Sequence, residues 1–216
     1  VWTMKSNSAL VTAIVSKVEH FASPAALRNA TPLATALKSF LPPAGVVLEV
    51  ASGSGFHAAV LAAHFEHLKW QPTERETDRL NDIRSLTESA GLENLLPPQQ
   101  LDATTSEWSV REAQAVLCLN MIHITPWPVA KGLMQGAGNV LAANAPLFIY
   151  GPFQIDGQHT APSNAAFDQS LRTLNPDWGV RDASDVDRVG ELHGLAFEQT
   201  VDMPANNMIR IYRKRG

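Results

Sequence analysis

Glu49 stands inside the apolar run VVLEVA and is followed at once by Gly53-Ser54-Gly55, in the stretch VVLEVASGSGFHAAV at 46–60. Two glycines one residue apart let a backbone turn sharply and approach a ligand with no Cβ in the way. A helix N-terminus behind such a turn favours a carboxylate or a phosphate. Glu49, four residues before Gly53, suits a cationic amine beside the same turn. S-adenosylmethionine carries both groups, an ammonium and a carboxylate. Two other readings compete. Gly53-x-Gly55-x-x-Ala58 satisfies the dinucleotide fingerprint with alanine in third place, although dinucleotide sites usually keep this strand apolar to its end. The turn can also be an ordinary tight turn, with Glu49 paired to a core cation. A hydrolase elbow is excluded, because the chain has no Gly-x-Ser-x-Gly.

Spacing downstream favours the first reading. An acidic residue that holds ribose hydroxyls is expected about 20 residues past the glycines, and Glu74 lies 19 past Gly55. Asp102 follows the third predicted strand, where a carboxylate accepts from an adenine amino group. Asn120 ends the fourth beside the same cleft. Each of the four polar residues closes an otherwise apolar strand. The candidate cofactor set is Glu49, Ala51, Gly53, Gly55, Glu74, Asp102, Ala103 and Asn120. Arg28 and Asn29, read at a helix start, are added as anchors for the donor carboxylate or an acidic substrate. Helix capping with a surface ion pair is the competing reading.

Methyl transfer from a sulfonium needs in-line approach of a nucleophile, and a base only where the acceptor carries a proton to lose. His123, in NMIHITPW just past the fourth strand, is the candidate base, with a backbone-bonded turn histidine as the alternative. Tyr150, before Gly151-Pro152-Phe153, is a second catalytic candidate or a core side chain. Asn164, Asp168 and Arg172 lie at i, i+4 and i+8, on one helix face. With Trp127, Phe153, Trp178 and Asn206 they form the candidate substrate set; a solvated face and core packing are the plainer readings. His57, His64 and His67 fall in one predicted helix without a cysteine or carboxylate partner at matching spacing, so no metal is expected.

These residues need elements to position them. Residues 6–19 read as an amphipathic helix from Leu10, Ile14, Val15 and Val18. Thr31-Pro32 reads as an N-cap and first helical proline opening a helix to about Phe40. Strands VVLEVA, LKWQ, QQLDA, AVLCLNMI and APLFIYG then alternate with helices at FHAAVLAAHFEHL, 76–90 and WPVAKGLMQGAGNVL. Gly91 fits the C′ position of the second of these helices. Such alternation predicts a parallel sheet covered on both faces. Residues 152–163 read as a long polar loop over the carboxyl edge, where ligands of open α/β sheets sit. Helices near 163–174 and 184–193 precede LAFEQTVDM and MIRIYRKR, read as an antiparallel edge pair.

The chain has 216 residues, 45% hydrophobic and 18% charged, which suits one sizeable core. A net charge of −4 argues against sequence-independent nucleic-acid binding. The basic cluster of Arg210, Arg213, Lys214 and Arg215 reads as a solvated strand end. The single cysteine, Cys118, reads as a buried small hydrophobe and fits a reducing, cytoplasmic compartment. No apolar run approaches the length that spans a bilayer.

The chain resembles the methyltransferase-like protein 26 family over about residues 23–213. The resemblance rests on SPAALRN, LEVASGSGFHAA, WQPTERE, NMIHITP, YGPF, SNAAFDQSLRTLNPDWGVRD and VDMPANN. It implies a Rossmann-like class I methyltransferase fold, a seven-stranded, mainly parallel sheet with an antiparallel C-terminal strand and helices on both faces. Leu27 replaces an acidic residue of that family, Ala30 a basic one, and Phe56 a polar one before His57, so substrate choice is expected to differ. The expectation is an S-adenosylmethionine-dependent methyltransferase domain over 23–216, with a helical extension at 1–22 that covers the pocket or mediates dimerisation. Its acceptor is a small molecule methylated on oxygen or nitrogen, its partners include no nucleic acid or membrane, and it acts as monomer or homodimer. An NAD(P)-dependent oxidoreductase and a non-catalytic S-adenosylmethionine-binding module are the alternatives.

Overall fold

The computed structural model describes residues 8–105 and 107–216. Helix α1 (Ser8–Val18) runs into one 3-10 turn, Glu19–Phe21. Positions 6 and 7 of the expected N-terminal helix lie outside the described residues. Helix α2 spans Pro24–Leu37, with the Ser23 hydroxyl accepting from Ala26 N at 3.1 Å and Pro24 in the first turn. The expected start at Thr31-Pro32 is therefore corrected: Pro32 sits inside α2. A proline there removes one backbone bond, but the buried Ala30, Leu33, Ala34 and Leu37 anchor the helix on either side of it.

Strand β1 (Gly45–Val50) leads through the glycine turn into α3 (Phe56–His64) and then β2 (Leu68–Glu74). Helix α4 (Thr77–Ala90) ends on Gly91, at φ 64°, as its sequence predicts. The third strand is shorter than expected. β3 is Gln99–Gln100, Leu101 N still reaches Glu74 O at 3.0 Å, and the chain then turns at Asp102. β4 (Ala115–Leu119) stops at Asn120, whose φ of 59° ends the strand, and Met121–His123 form a 3-10 turn. Helix α5 (Trp127–Val140) and β5 (Pro146–Gly151) follow.

The segment read as a polar loop contains a small hairpin, β6 (Gln154–Ile155) and β7 (Gln158–His159). Its turn residues Asp156 and Gly157 have φ of 52° and 73°, the left-handed pair that a two-residue hairpin needs. Helices α6 (Pro162–Leu174) and α7 (Ala183–Leu192) precede the antiparallel hairpin β8 (Leu195–Met203) and β9 (Asn207–Lys214).

The seven-stranded sheet has the order β3-β2-β1-β4-β5-β9-β8. β9 is antiparallel to both β5 and β8, and the remaining pairs are parallel. Successive strand residues serve opposite faces. Val47, Leu117 and Phe148 join the core under α1, α2 and α3, and Leu48, Val116 and Leu147 join the core under α5 and α7. Ile14 and Val18 of α1 are buried in the first of these cores, so the N-terminal helix packs as part of the domain, against α3 and α4. The path leaves β1 toward β2 on one side and returns to β4 on the other. The crevice outside the ends of β1 and β4 is the switch point where open α/β sheets bind ligands.

Helix α5 is brought close to the segment after β3 by missing side chains. A Cβ on Gly132 would lie 2.0 Å from Ala103 O, and one on Gly136 2.0 Å from the Trp108 ring. Gly132→Ala must displace backbone, so a loss of about 2 kcal/mol is expected, or roughly 4–8 °C in Tm by thermal unfolding. A change under about 1 °C would show that the 103–104 segment yields freely.

Candidate functional site

At the end of β1 the chain turns through three left-handed residues, Ala51 (φ 58°), Gly53 (φ 62°) and Gly55 (φ 82°). Gly55 N closes the turn on Ser52 O at 2.9 Å. Ser52 N donates to Thr73 O at 2.8 Å, and Thr73 N to the Ser52 hydroxyl at 3.2 Å. A Cβ on Gly53 would meet nothing within 4 Å, so this glycine serves the backbone shape and an open approach. Its N–H donates to Glu74 Oε2 at 3.1 Å, while Arg75 N donates to Glu74 Oε1 at 2.8 Å. The end of β2 is thereby tied to the turn.

Glu49 is 1% exposed. Trp70 Nε1 donates to its Oε2 at 2.8 Å. Burial pushes its carboxyl up to about 8, against the opposing effect of the Trp70 bond. The core cation considered as its partner is not what the fold supplies; an indole N–H takes that place. Asp102 accepts from Thr104 N at 2.8 Å and the Thr104 hydroxyl at 2.7 Å, bonds that hold it below the usual carboxylate range.

One hollow of about 910 Å³ gathers this end of the sheet. Glu49, Ala51, Gly53, Glu74, Asp102, Ala103 and Asn120 all line it. Gly55 shapes the turn beneath, where a Cβ would meet Ile83 at 3.1 Å. Phe21, Ser23 and Ala26 border the hollow from the N-terminal segment, and Ile124, Thr125, Asn175 and Trp178 from the far side. The charged lining residues other than Glu49, namely Glu74, Arg75, Glu76, Arg79 and Asp102, belong to β2, the start of α4 and the segment after β3.

Several sequence candidates stand elsewhere. Arg28 is exposed, and Asn29 lies mid-helix in α2, where Oδ1 meets His57 Nε2 at 2.7 Å and Nδ2 donates to Tyr150 Oη at 3.3 Å. Neither lines the hollow, because the helix starts about two turns earlier than Thr31-Pro32 implies and carries them along its side. Tyr150 is 2% exposed and packs in the core; burial raises its phenol despite the Asn29 bond. His123 is also set behind the wall of the hollow. Its Nδ1 accepts from Arg181 N at 3.4 Å, so the proton sits on Nε2, which is buried without a partner. Burial pushes this ring down to about 3, with the Arg181 charge adding to the effect. A neutral ring whose lone pair is already taken is a donor, not a base.

The substrate set disperses as well. Of its members only Trp178 lines the hollow. Trp127 lies beneath the Arg181 guanidinium, 5.6 Å from the ring centre. Phe153 is fully buried against His123. Asn164 Nδ2 donates to Asn206 O and to the Thr160 hydroxyl, both at 2.9 Å, and Asn206 Nδ2 donates to the Ser163 hydroxyl at 3.0 Å. Asp168 accepts from Val180 N at 2.7 Å and Arg172 Nε at 2.9 Å. These bonds fasten α6 to neighbouring loops. His67 lies beyond the end of α3, and among the described residues no group of three His, Cys, Asp or Glu side chains converges to hold a metal.

Trp70, Ser52, the Phe21–Ala26 border and His57 were not legible as site residues. Only His57 carried a signal, its place two residues past Gly55.

Sheet order, the antiparallel ninth strand and the crevice at the glycine turn define a Rossmann-like fold of the class I methyltransferase type. It is shared with an O-methyltransferase family 2 protein from Planctomyces limnophilus DSM 3776, solved in complex with apigenin: 17% identity, TM-score 0.74, 98% of this chain and 62% of that one. An O-methyltransferase family protein from Burkholderia thailandensis matches with 16% identity, TM-score 0.74, and 97% and 67% coverage. The mitomycin 7-O-methyltransferase matches with 18% identity, TM-score 0.72, and 88% and 54% coverage. The chain thus spans 62% of the length of the Planctomyces protein. Residues 20–214 match the family described as "Protein of unknown function (DUF938)", and the chain belongs to that family. No described helix is long and apolar enough to cross a membrane.

Glu49 makes stability depend on pH. Its carboxyl titrates near 4.5 when unfolded and near 8 in the fold. Between those values the folded chain keeps a proton that the unfolded chain has lost, so the contribution is full below about 4.5 and gone as pH rises through about 8. Glu49→Gln cannot titrate. The stability of the wild type relative to this variant is expected to fall from about pH 5 to about pH 8 and then level off, read by chemical denaturation across pH; a flat difference refutes the buried acid.

Proposed function

We propose that the chain binds S-adenosylmethionine in this hollow and transfers its methyl group to an oxygen or nitrogen of a small molecule. The observation that carries the reading is the convergence of Glu49, Glu74, Asp102 and Asn120, from four successive strand ends, on one hollow above the glycine turn. Its volume of about 910 Å³ suits a nucleoside-sized ligand with a second molecule beside it.

The residues fit the donor on chemical grounds. Glu49 is a buried acid with a hydrogen-bond donor and, among the described residues, no cation paired to it, the setting an external ammonium completes. The α3 N-terminus suits the donor carboxylate, Glu74 the ribose hydroxyls, Asp102 an exocyclic amine and Asn120 the methionine end. The donor supplies a methyl group already activated by positive charge, and the protein supplies position. The resemblance to the methyltransferase-like protein 26 family supports this reading, as does the fold shared with O-methyltransferase proteins. A net charge of −4 supports a small acceptor over nucleic acid, and the buried Cys118 thiol, pushed up to about 12 by burial, suits a reducing cytoplasm. We read 23–216 as the methyltransferase domain and 1–22 as an extension, in a monomer or homodimer.

Ammonium binding must ionise Glu49. Calorimetry with S-adenosylmethionine near pH 7 is therefore expected to show release of about one proton, seen as a heat that changes with the buffer's ionisation enthalpy. Glu49→Gln should lose that release and bind roughly 10- to 100-fold more weakly. No heat and no Tm shift with S-adenosylmethionine would sink the proposal, and NADH binding in its place would turn the site into an oxidoreductase's.

A further inference from the structure

His57 opens the first full turn of α3, two residues past Gly55, and lines the hollow. Its ring is held by a chain across three elements. Nε2 meets Asn29 Oδ1 on α2 at 2.7 Å, and Asn29 Nδ2 donates to Tyr150 Oη on β5 at 3.3 Å. Because the amide presents its oxygen to the imidazole, the ring proton is on Nε2 and the lone pair on Nδ1. No described residue bonds to Nδ1, nor is it sealed among the buried unpartnered atoms. Burial pushes the ring down to about 4, so it is neutral at pH 7 and the lone pair is free.

The lining that α2 and the segment before it contribute is uncharged. Ala26 lies one turn before Asn29 on α2, and the segment leading into that helix lines the hollow with Phe21 and Ser23. The charged lining residues come from other elements, β2, α4 and the segment after β3, with Glu49 on β1. An uncharged, largely apolar wall with one free lone pair suits a neutral molecule bearing a hydroxyl.

We infer that His57 is the base of the reaction: Nδ1, aimed by the Asn29 bond, takes the proton of a neutral hydroxyl acceptor as its oxygen is methylated. The inference rests on the methyltransferase reading. In the step the acceptor oxygen forms a bond to the methyl carbon, the carbon–sulfur bond breaks with its electron pair left on sulfur, and the O–H proton moves to Nδ1 and later to water. A weakly basic ring suffices, because an oxygen acquiring a second carbon is far more acidic than an imidazolium. Asn29 acts through His57 and is a positioning residue.

Nitrogen-detected NMR of the full chain, without ligand and then with S-adenosylmethionine or S-adenosylhomocysteine, tests this. His57 is expected to carry its proton on Nε2 in all three states, and its Nδ1 signal to differ between the charged sulfonium and the neutral thioether. Asn29→Leu should mix the two tautomers while leaving S-adenosylmethionine affinity within about twofold. On phenol as probe, His57→Ala should lower kcat roughly 10²- to 10⁴-fold with little change in donor KM. On 4-nitrophenol, already ionised at pH 8, the loss should be much smaller. A proton on Nδ1, or a signal blind to the sulfur's charge although the donor binds, overturns this inference alone; failure of S-adenosylmethionine to bind overturns the methyltransferase reading with it.

Discussion

Burying one carboxyl at the end of β1 constrains everything near it. An acid without solvent needs a donor or must keep its proton, and Glu49 has both remedies. The donor, Trp70 Nε1, comes from the adjacent strand and is aimed from below: the indole stacks on Phe65 with ring centres 6.3 Å apart. Phe65 ends α3, and Asn94 Nδ2 bonds the carbonyls of Ala62, Phe65 and Leu68 around that end. The polar centre of the site is thus positioned by an aromatic core beneath it.

A second layer works at one remove. The belt of Asn164, Asp168, Arg172 and Asn206 never reaches the hollow. It holds α6 against the 175–181 segment through Asp168 and Val180 N, and Arg181 ties that segment to the carbonyls of Ile122 and Thr125 while bracing it internally on Asp177 O. Asn175 and Trp178 stand at the rim because this segment is pinned at both ends. Polar residues in helical register can therefore serve a site without touching its contents.

Strand ends were legible in the sequence, and with them much of the lining of the hollow. A polar residue closing each apolar run marks the same physical place in a parallel sheet, so Glu49, Glu74, Asp102 and Asn120 could be grouped before any coordinates. The helix register of α2 was not legible: a threonine-proline pair imitates a cap, and only tertiary burial of Ala30, Leu33 and Leu37 decides otherwise. That error carried Arg28 and Asn29 toward the cofactor. His123 failed for a different reason. Its distance along the chain from Asn120 is short, but the left-handed turn at Asn120 swings the ring behind the sheet edge, against Phe153. His57 was in plain view beside the glycines, yet the role inferred for it depends on an amide from a separate helix, which no local spacing announces.

The bonds from Gly53 N and Arg75 N to Glu74 build this part of the hollow's floor from backbone donors. On the proposed reading, the floor under a nucleoside is thus set by backbone rather than by freely turning side chains, and little freedom is left there to lose on binding. Adaptation to differently shaped guests must then fall to the rim, where side chains rather than backbone meet the visitor. On that reading, a chain that keeps the floor and varies only Ile124 or Phe21 could change diet without relearning how to hold the donor.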